Sequence, residues 1–379
     1  MEITVKNALI ICTVGNFLNF ELNDIKILNE LGYKVYIASN FSGCDAIMQK
    51  LASLNTVNIQ IGFARSPFSL DNLKATKQLV QVFSSIKFDL VHCHTPVGGV
   101  LGRLVGNKFR KDGMKVIYTA HGFHFFKGAP FLNWLLYYPI EKIFSYFTDI
   151  LITINKEDFE LSKKQFNAKI TEYIPSVGVY TDRFSNSKMS KCDKRKELGI
   201  PQDAFLMLSV GELSSRKNHI LVINALGQIN DPNIFYIIAG DGKLHNEYIE
   251  TAKKHGIEKQ VFLLGNRSDI NELCKAADLF IHPSAREGLG IAPLEGMAAG
   301  LPLISTYING IKDYTENNIT GCCIESPYDV MAMVNSIIKM KTDRAFRDQC
   351  SANNIKIAGK FDIRIVEQVM RNIYEKISN

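Results

Sequence analysis

Short apolar runs alternate with longer segments of mixed polarity through the first half of the chain. The run at 8–13 is almost uninterrupted, as in a parallel strand that is buried on both faces. The segment at 19–31 has apolar residues at helical spacing, and Gly32 ends it. Further strands are predicted at 34–39, 90–92, 116–119 and 149–154, and a further helix at 98–110. This order of strand and helix predicts an open parallel α/β sheet.

A second series of strands and helices begins after a polar stretch. Residues 174–179 have turn chemistry, and polar and charged residues continue to Lys196, so a domain boundary is predicted here. Strands are then predicted at 205–210, 234–239, 261–264 and 278–282, and helices at 220–229, 293–300 and 362–377. We therefore predict an α/β protein of two Rossmann-like, doubly wound domains facing a central cleft. The predicted domains are 1–178 and 179–360, followed by a C-terminal helix at 361–379.

The composition is typical of a soluble globular protein, with 46% apolar and 22% charged residues in a chain of 379. The net charge of +6 is uneven, since residues 1–180 hold 19 Lys and Arg against 14 Asp and Glu. The first half is therefore the better candidate to meet an anionic surface or substrate. The eight cysteines form no C-x-x-C pattern, which indicates reduced, buried thiols in a cytoplasmic protein. We expect no signal peptide, and no apolar run reaches the length of a membrane span.

A glycine-rich stretch with two carboxylates, Glu287 and Glu295, follows the strand predicted at 278–282. Gly288 and Gly290 let the backbone approach a ligand, and a helix starting near Pro293 directs its free amides at an anion. An anion beside two carboxylates suggests a phosphorylated ligand that carries hydroxyls, such as a nucleotide sugar. A capping box is a weak alternative for Glu295, because alanine stands three residues earlier. Glu287 as a solvated loop charge remains the other alternative.

Two adjacent cations, Arg216 and Lys217, follow the strand predicted at 205–210. Such a pair can bracket a diphosphate and neutralise the charge on a departing nucleoside diphosphate. A solvated basic turn is the alternative, and the two carboxylates in the same domain weaken it. The chain has no Asp-x-Asp pair, which argues for a leaving-group site without a metal. It also lacks the Walker P-loop and the G-x-G-x-x-G fingerprint, which argues against an ATPase or a dehydrogenase.

Four histidines lie close to predicted strand ends. His121 follows the strand at 116–119, where ligands of parallel sheets collect, so a function is favoured for it. His92 and His94 point to one face of a strand, but a zinc site would need further ligands. The spacing of His121 and His124 indicates no carboxylate or cysteine partner. A structural role is therefore favoured for the histidines other than His121.

The segment 121–147 holds the only tryptophan and many phenylalanines and tyrosines. Two interpretations remain open: a helix packed in the core, or an apolar surface beside bilayer lipids, where Trp, Tyr and Lys are typical. In the second case, nearby cations would favour anionic lipid head groups. These cations are Arg103, Lys108, Arg110, Lys111 and Lys115.

The two predicted domains, the carboxylate pair, the adjacent cations and His121 together resemble the retaining glycosyltransferases of family four, which have the GT-B fold. The resemblance covers nearly the whole chain, and its most specific part is 286–302. Residues 92–103, 118–138 and 152–158 resemble the branch that builds capsular, exopolysaccharide and O-antigen units in bacteria.

This resemblance implies a role for each matching residue. Glu295 would bind the ribose hydroxyls, Glu287 would contact the donor sugar, and Arg216 and Lys217 would bind the diphosphate. His121 would line the catalytic centre from the acceptor-binding domain. The loop after the first strand, with Gly15 and Asn16, would close over the diphosphate. The loop 265–268 would hold the base, and the amides of 288–291 would hold sugar and diphosphate. The further donor-binding positions are Gly15, Asn16, Gly211, Asn266, Arg267, Gly288, Leu289, Gly290 and Ile291.

Two positions depart from the family pattern. Glu212 stands where many members have arginine, so one phosphate contact is missing or moved. Gly15 stands alone where many members have paired glycines, which leaves the details of donor closure open.

The expected activity is retaining transfer of a sugar from a nucleoside-diphosphate sugar, with UDP as the first choice, to a polyprenyl-diphosphate-linked acceptor. The N-terminal domain would bind the acceptor and the C-terminal domain the nucleotide sugar. We expect a cytoplasmic protein, peripherally attached to the inner membrane, without a cofactor, a bound metal or a nucleic-acid partner. The alternatives are a sugar-nucleotide epimerase of the same fold and a non-catalytic nucleotide-sugar-binding subunit.

Overall fold

The computed structural model describes residues 5–186 and 189–378. By its internal contacts the chain divides into unit 1, Met1–Val177 with Arg364–Asn379, and unit 2, Gly178–Ile363. The predicted boundary after residue 178 lies one residue beyond the observed division. The last segment joins unit 1 from residue 364, where the prediction was 361. Asn379, the predicted end of the last helix, lies outside the described residues.

Unit 1 is built on a seven-stranded parallel sheet, as the apolar runs predict. Its strands are β1 (Lys6–Val14), β2 (Tyr33–Asn40), β3 (Val57–Gln60), β4 (Leu90–His94), β5 (Lys115–Ala120), β6 (Ile150–Thr153) and β7 (Ile170–Tyr173). They lie in the order β3-β2-β1-β4-β5-β6-β7. Because β1 and β4 are neighbours, the strand order reverses between them, and ligands of such sheets bind at the carboxyl ends near that point.

Helices cover the sheet of unit 1. They are α1 (Leu22–Glu30), α2 (Asp45–Ala52), α3 (Asp71–Ser85), α4 (Pro96–Gly106), α5 (Phe131–Ser145) and α6 (Lys156–Gln165). The helix predicted from residue 19 begins instead at Leu22, after a 3-10 turn at Gly15–Phe20. The helix predicted at 98–110 is two residues earlier and ends at Gly106, because Pro96 fits the first helical position.

Unit 2 is built on a six-stranded parallel sheet. Its strands are β8 (Phe205–Val210), β9 (Ile234–Ala239), β10 (Val261–Leu263), β11 (Leu279–His282), β12 (Leu303–Thr306) and β13 (Gly321–Ile324), in the order β10-β9-β8-β11-β12-β13. Its helices are α7 (Thr181–Ser185), α8 (Lys191–Leu198), α9 (Ile220–Ile229), α10 (His245–Lys254), α11 (Ile270–Ala276), α12 (Ile291–Ala298), α13 (Val330–Thr342) and α14 (Arg344–Ala358). The prediction of two parallel, Rossmann-like sheets is therefore confirmed.

The last helix, α15 (Ile363–Ser378), packs on unit 1 through one apolar face. Met370, Ile373 and Tyr374 on this face are at most 2% exposed, and each such side chain contributes about 1.5–3 kcal/mol of transfer free energy. Ile365 of the same helix is exposed. The Tyr374 hydroxyl donates a hydrogen bond to Asp24 of α1 and shares another with His92 of β4, and these bonds hold the helix against both elements.

Helix α5 of the aromatic segment packs in the core on one side, and the interpretation as a surface beside lipids stays a prediction. Its aromatic side packs inward, where the Trp134 ring lies 5.5 Å from the Phe125 ring. Its aliphatic side is exposed, by 59% at Leu132 and 58% at Leu135. Helix α5 therefore presents an apolar face to solvent. No helix in the described part of the chain is long and apolar enough to cross a bilayer.

Two of the five cations that we expected near lipid head groups are engaged inside unit 1. Arg103 is buried, donates a 2.8 Å hydrogen bond to Glu141 and lies 3.8 Å from the Tyr118 ring. Arg110 forms two hydrogen bonds with Asp149. A head-group role is therefore wrong for Arg103 and disfavoured for Arg110. The exposed cations that remain are Lys108, Lys111 and Lys115.

The cysteines are free, as we predicted from their spacing. Six of them are buried, whereas Cys192 is exposed and Cys323 is half-buried. The expectation of buried thiols is thus wrong for these two positions.

Candidate active site

Glu287 lies in the loop between β11 and α12, at the carboxyl end of the sheet of unit 2. Its carboxylate accepts a 2.5 Å hydrogen bond from Lys217 Nζ and lies 3.3 Å from both Arg216 Nη1 and His282 Nε2. Burial acts to raise the pKa of Glu287, but the neighbouring Lys217, His282 and Arg216 outweigh burial and hold the pKa well below its usual range. Glu287 is therefore ionised, and because its side chain is only 11% exposed and is paired with two cations, it is not a solvated loop charge.

The loop that carries the two cations is fixed against the loop that carries Glu287. The Arg216 carbonyl accepts a 2.8 Å hydrogen bond from the Ala285 amide. The Asn218 side chain donates to the Pro283 carbonyl at 3.0 Å, and its φ of +57° turns the chain into α9. Both cations are thereby held at the carboxyl ends of β8 and β11, as we predicted for Arg216 and Lys217.

Helix α12 begins at Ile291, two residues before the predicted start. Pro293 is tolerated there because the first amides of a helix have no partner within it. Gly290 precedes the helix with a φ of +83°, and a Cβ at this position would lie 3.1 Å from Glu287 Cγ. The amides of Leu289, Gly290 and Ile291 donate no hydrogen bond within the described part of the chain. These amides keep the helix start available to an anion.

Glu295 lies on α12 and is half-buried, and its carboxyl group has no hydrogen-bonding partner within the described ranges. Burial raises the pKa of Glu295 to about 7, and the charge of Arg183 offsets only part of that effect. The carboxyl group therefore retains its full capacity to accept hydrogen bonds from a ligand.

The other predicted donor-binding residues lie in several places. Gly211 directly follows β8, and a Cβ there would lie 3.2 Å from the Lys217 side chain. Asn266 is exposed in the loop after β10. Arg267 in the same loop forms ion pairs with Asp269 at 2.6 Å and Glu197 at 3.3 Å, so its guanidinium is already engaged.

The first predicted loop lies in unit 1. Gly15 is buried, and a Cβ there would lie 2.9 Å from the Phe41 ring. Asn16 is exposed and lines a hollow of about 400 Å³ together with Phe17 and Arg65. Both residues belong to the 3-10 turn that follows β1.

His121 directly follows β5 and lies in a buried cluster with His94 and Glu21. His94 Nδ1 is 3.2 Å from His121 Nε2, and Glu21 Oε1 is 3.4 Å from each of these nitrogens. Burial lowers the pKa of His121 to about 3, so its imidazole is neutral. Sequence spacing indicated no carboxylate partner for the histidines, and the structure corrects this by placing Glu21 beside two of them.

A second cluster continues from the first. His92 shares 2.7 Å hydrogen bonds with the Tyr374 and Thr119 hydroxyls, which satisfies both ring nitrogens and agrees with a structural role. The Tyr374 hydroxyl also donates to Asp24 at 2.9 Å. The sets Glu21–His94–His121 and Asp24–His92–His94 are each close enough to hold a metal ion.

Three residues of these sites were missed in the sequence. His282 is the last residue of β11, and its position at a strand end could have identified it. Glu21 lies between the 3-10 turn and α1, and Asp24 lies in the first turn of α1. Nothing in their local pattern indicates that they meet histidines of β4 and β5.

Comparison with known proteins agrees with this architecture. A model of the glycosyl transferases group 1 matches residues 190–357, and a model described as glycosyl transferase 4-like matches residues 9–155. Anabaena HepE in complex with UDP-glucose has the same fold, with a TM-score of 0.79 at 20% identity over 98% of this chain and 99% of that chain.

Two curated relatives cover most of both chains. The chain is 39% identical to the putative glycosyltransferase EpsD of Bacillus subtilis over 84% of each protein. It is 31% identical to an Escherichia coli enzyme named UDP-Gal:alpha-D-GlcNAc-diphosphoundecaprenol alpha-1,3-galactosyltransferase, over 78% of this chain and 77% of that enzyme. The family expected from the resemblance is confirmed: the chain belongs to the family-four glycosyltransferases, which have the GT-B fold.

Proposed function

We propose that this glycosyltransferase transfers a sugar from a UDP-sugar to a polyprenyl-diphosphate-linked acceptor, with retention at the anomeric carbon, in bacterial surface polysaccharide synthesis. The donor part of this proposal is supported by the arrangement of side chains and amides around α12. It combines unpaired amides at the helix start, an ionised Glu287 beside two cations, and a Glu295 carboxyl group without a partner.

Each part of this arrangement matches one part of a nucleotide sugar. Glu295 would accept hydrogen bonds from the ribose hydroxyls, since its carboxyl group has no partner of its own. The amides of Leu289 to Ile291 would bind diphosphate oxygens and the donor sugar. Glu287 would accept hydrogen bonds from sugar hydroxyls, and its pairing with Lys217 keeps it ionised for that role.

Transfer would break the bond between the anomeric carbon and the diphosphate oxygen while the acceptor oxygen bonds to the same face of that carbon. The acceptor proton would pass to the departing diphosphate. Arg216 and Lys217 would stabilise the charge that develops on this group, so the leaving-group site needs no divalent metal. His121 of unit 1 would line the catalytic centre, a role that rests on its match to the family pattern.

The choice of acceptor rests on the Escherichia coli relative, whose name specifies a diphosphoundecaprenol-linked sugar. The choice of UDP rests on that relative and on the UDP-glucose complex of HepE. The exposed aliphatic face of α5, with the exposed Lys108, Lys111 and Lys115 on the same unit, is suited to a bilayer with anionic lipids. We therefore propose peripheral attachment at the cytoplasmic face of the inner membrane.

A two-step experiment tests the proposed function. A thermal-shift screen of UDP-, GDP- and dTDP-sugars identifies the donor, because a ligand at about 100 times its Kd stabilises the fold by about 2.7 kcal/mol. Transfer of radiolabelled sugar to lipid-linked acceptor then measures activity. Glu295→Ala should abolish nucleotide binding or turnover, whereas the exposed Glu258→Ala should leave both intact.

Three results would contradict the proposal. Full activity of Glu295→Ala would refute the donor site. An inverted anomeric product by NMR would refute retention. Turnover of the donor without any acceptor would indicate a sugar-nucleotide epimerase instead.

A further inference from the structure

Three potential ligand atoms form a nearly equilateral triangle inside unit 1. His94 Nδ1 and His121 Nε2 are 3.2 Å apart, and Glu21 Oε1 is 3.4 Å from each. The Glu21 oxygen is buried and has no hydrogen-bonding partner in the described part of the chain. At 3.4 Å it lies beyond the usual length of a hydrogen bond to nitrogen, which is about 2.7–3.2 Å.

These separations match the ligand spacing of tetrahedral zinc. Nitrogen and carboxylate ligands lie about 2.0–2.2 Å from Zn²⁺, so two ligands at the tetrahedral angle are about 3.4 Å apart. Two histidines and one glutamate are also a donor set that proteins use for zinc, with solvent in the fourth position.

The fold holds the three ligands on separate, adjoining elements. His94 ends β4, His121 follows β5, and these two strands are hydrogen-bonded neighbours in the sheet. Glu21 stands between the first 3-10 turn and α1. The side chains of His94 and Glu21 are at most 4% exposed and that of His121 is 16% exposed, so an ion has a path of entry on the His121 side.

The Glu21 carboxylate has an outer contact of the kind that zinc ligands usually have. Asp24 shares a hydrogen bond with Glu21 and accepts another from the Tyr374 hydroxyl. Neither Glu21 nor Asp24 pairs with a lysine or arginine among the described residues. Two buried carboxyl groups without a cation are costly to ionise, and a bound metal ion is one of the ways in which proteins stabilise such groups.

We propose that Glu21, His94 and His121 bind one Zn²⁺ ion, with the fourth position left to solvent. All three ligands belong to unit 1, whereas the proposed leaving-group site, which needs no metal, is built from Arg216 and Lys217 of unit 2.

The experiment measures zinc in the full chain. Protein is stripped with EDTA, equilibrated with Zn²⁺, dialysed and analysed by mass spectrometry of the metal. We expect one equivalent per chain, and we expect Co²⁺ in its place to give the strong visible absorption of a four-coordinate site. Glu21→Gln and His94→Gln should each lose this equivalent, and Asp24→Asn should weaken binding about 10- to 100-fold. The control His245→Gln, in unit 2, should retain it.

X-ray absorption at the zinc edge of the unaltered protein gives a second measurement that does not depend on how the variants fold. Nitrogen and oxygen scatterers at about 2.0–2.1 Å without sulfur would support the site. Sulfur at about 2.3 Å would overturn it, because a thiol such as that of the exposed Cys192 would then hold the ion. Absence of retained zinc, or full retention in both Glu21→Gln and His94→Gln, would also overturn it.

Discussion

Binding of the nucleotide sugar should release a proton from Glu295. In the free protein, burial raises the pKa of this carboxyl group to about 7, so the group is partly protonated near neutral pH. Ribose hydroxyls donate hydrogen bonds to a carboxylate and stabilise its ionised form. The bound donor should therefore lower the pKa of Glu295 toward or below its usual value.

The size of this effect follows from the pKa. If a group has a pKa near 7, the fraction of molecules in which it is protonated is about 0.9 at pH 6 and about 0.1 at pH 8. If the complex keeps Glu295 ionised throughout this range, about 0.9 proton leaves per ligand at pH 6 and about 0.1 at pH 8. By linkage, the Kd should rise about tenfold as the pH falls from 8 to 6.

Isothermal titration calorimetry in two buffers of different ionisation enthalpy measures the released protons directly. The ligand should be the intact nucleotide sugar, because its diphosphate has no terminal phosphate that titrates in this range. The exposed control Glu258→Gln should release protons as the unaltered protein does. Tight binding to the unaltered protein with no proton release at pH 6 would refute the role assigned to Glu295.

Three further predictions concern other parts of the molecule. Lys217→Met should lower kcat about 10²- to 10³-fold in the radiolabelled transfer assay, because it removes a cation that faces the developing charge, and an unchanged kcat would contradict this role. Leu132→Glu combined with Leu136→Glu should reduce sedimentation with anionic liposomes. Met331→Glu, at an exposed apolar position of unit 2, should not. Equal liposome binding by the double variant and the Met331→Glu control would exclude α5 as the attachment surface. Arg103→Met should destabilise unit 1 by about 3–5 kcal/mol in denaturant unfolding, because it leaves a buried carboxylate unpaired. A stable variant with impaired liposome binding would restore the head-group role that the structure excludes.

The parts of the fold that could be predicted are those with a strong local pattern. Central strands such as β1 and β8 are continuous apolar runs, because helices cover both faces of a parallel sheet. The edge strands β3 and β7 have only four residues each, and because these residues are half-buried or exposed, their apolar signal is too weak. Pro293 predicts the start of α12 two residues late, because the helix begins after Gly290 and holds the proline in its first turn.

The candidate sites also contain residues that the sequence could indicate and residues that it could not. The residues of the donor site lie in loops directly after strands, so position alone indicated Arg216, Lys217 and Glu287. The Glu21 cluster could not be predicted, because its members meet only through the order of β1, β4 and β5 in the sheet. The same holds for Tyr374, which reaches Asp24 only because α15 returns to unit 1.

The two carboxylates of the donor site have opposite environments, and this difference supports separate roles for them. Glu287 is held ionised by Lys217, His282 and Arg216, so its geometry is set before any ligand arrives. Glu295 is half-buried and its carboxyl group has no hydrogen-bonding partner in the described ranges, so hydrogen bonds from a ligand would favour its ionised form. Groups of one type whose pKa values are driven apart commonly divide two tasks within a site. Glu287 is therefore suited to orient the sugar. Glu295 is suited to bind the nucleoside, and it would release its proton when the nucleoside binds.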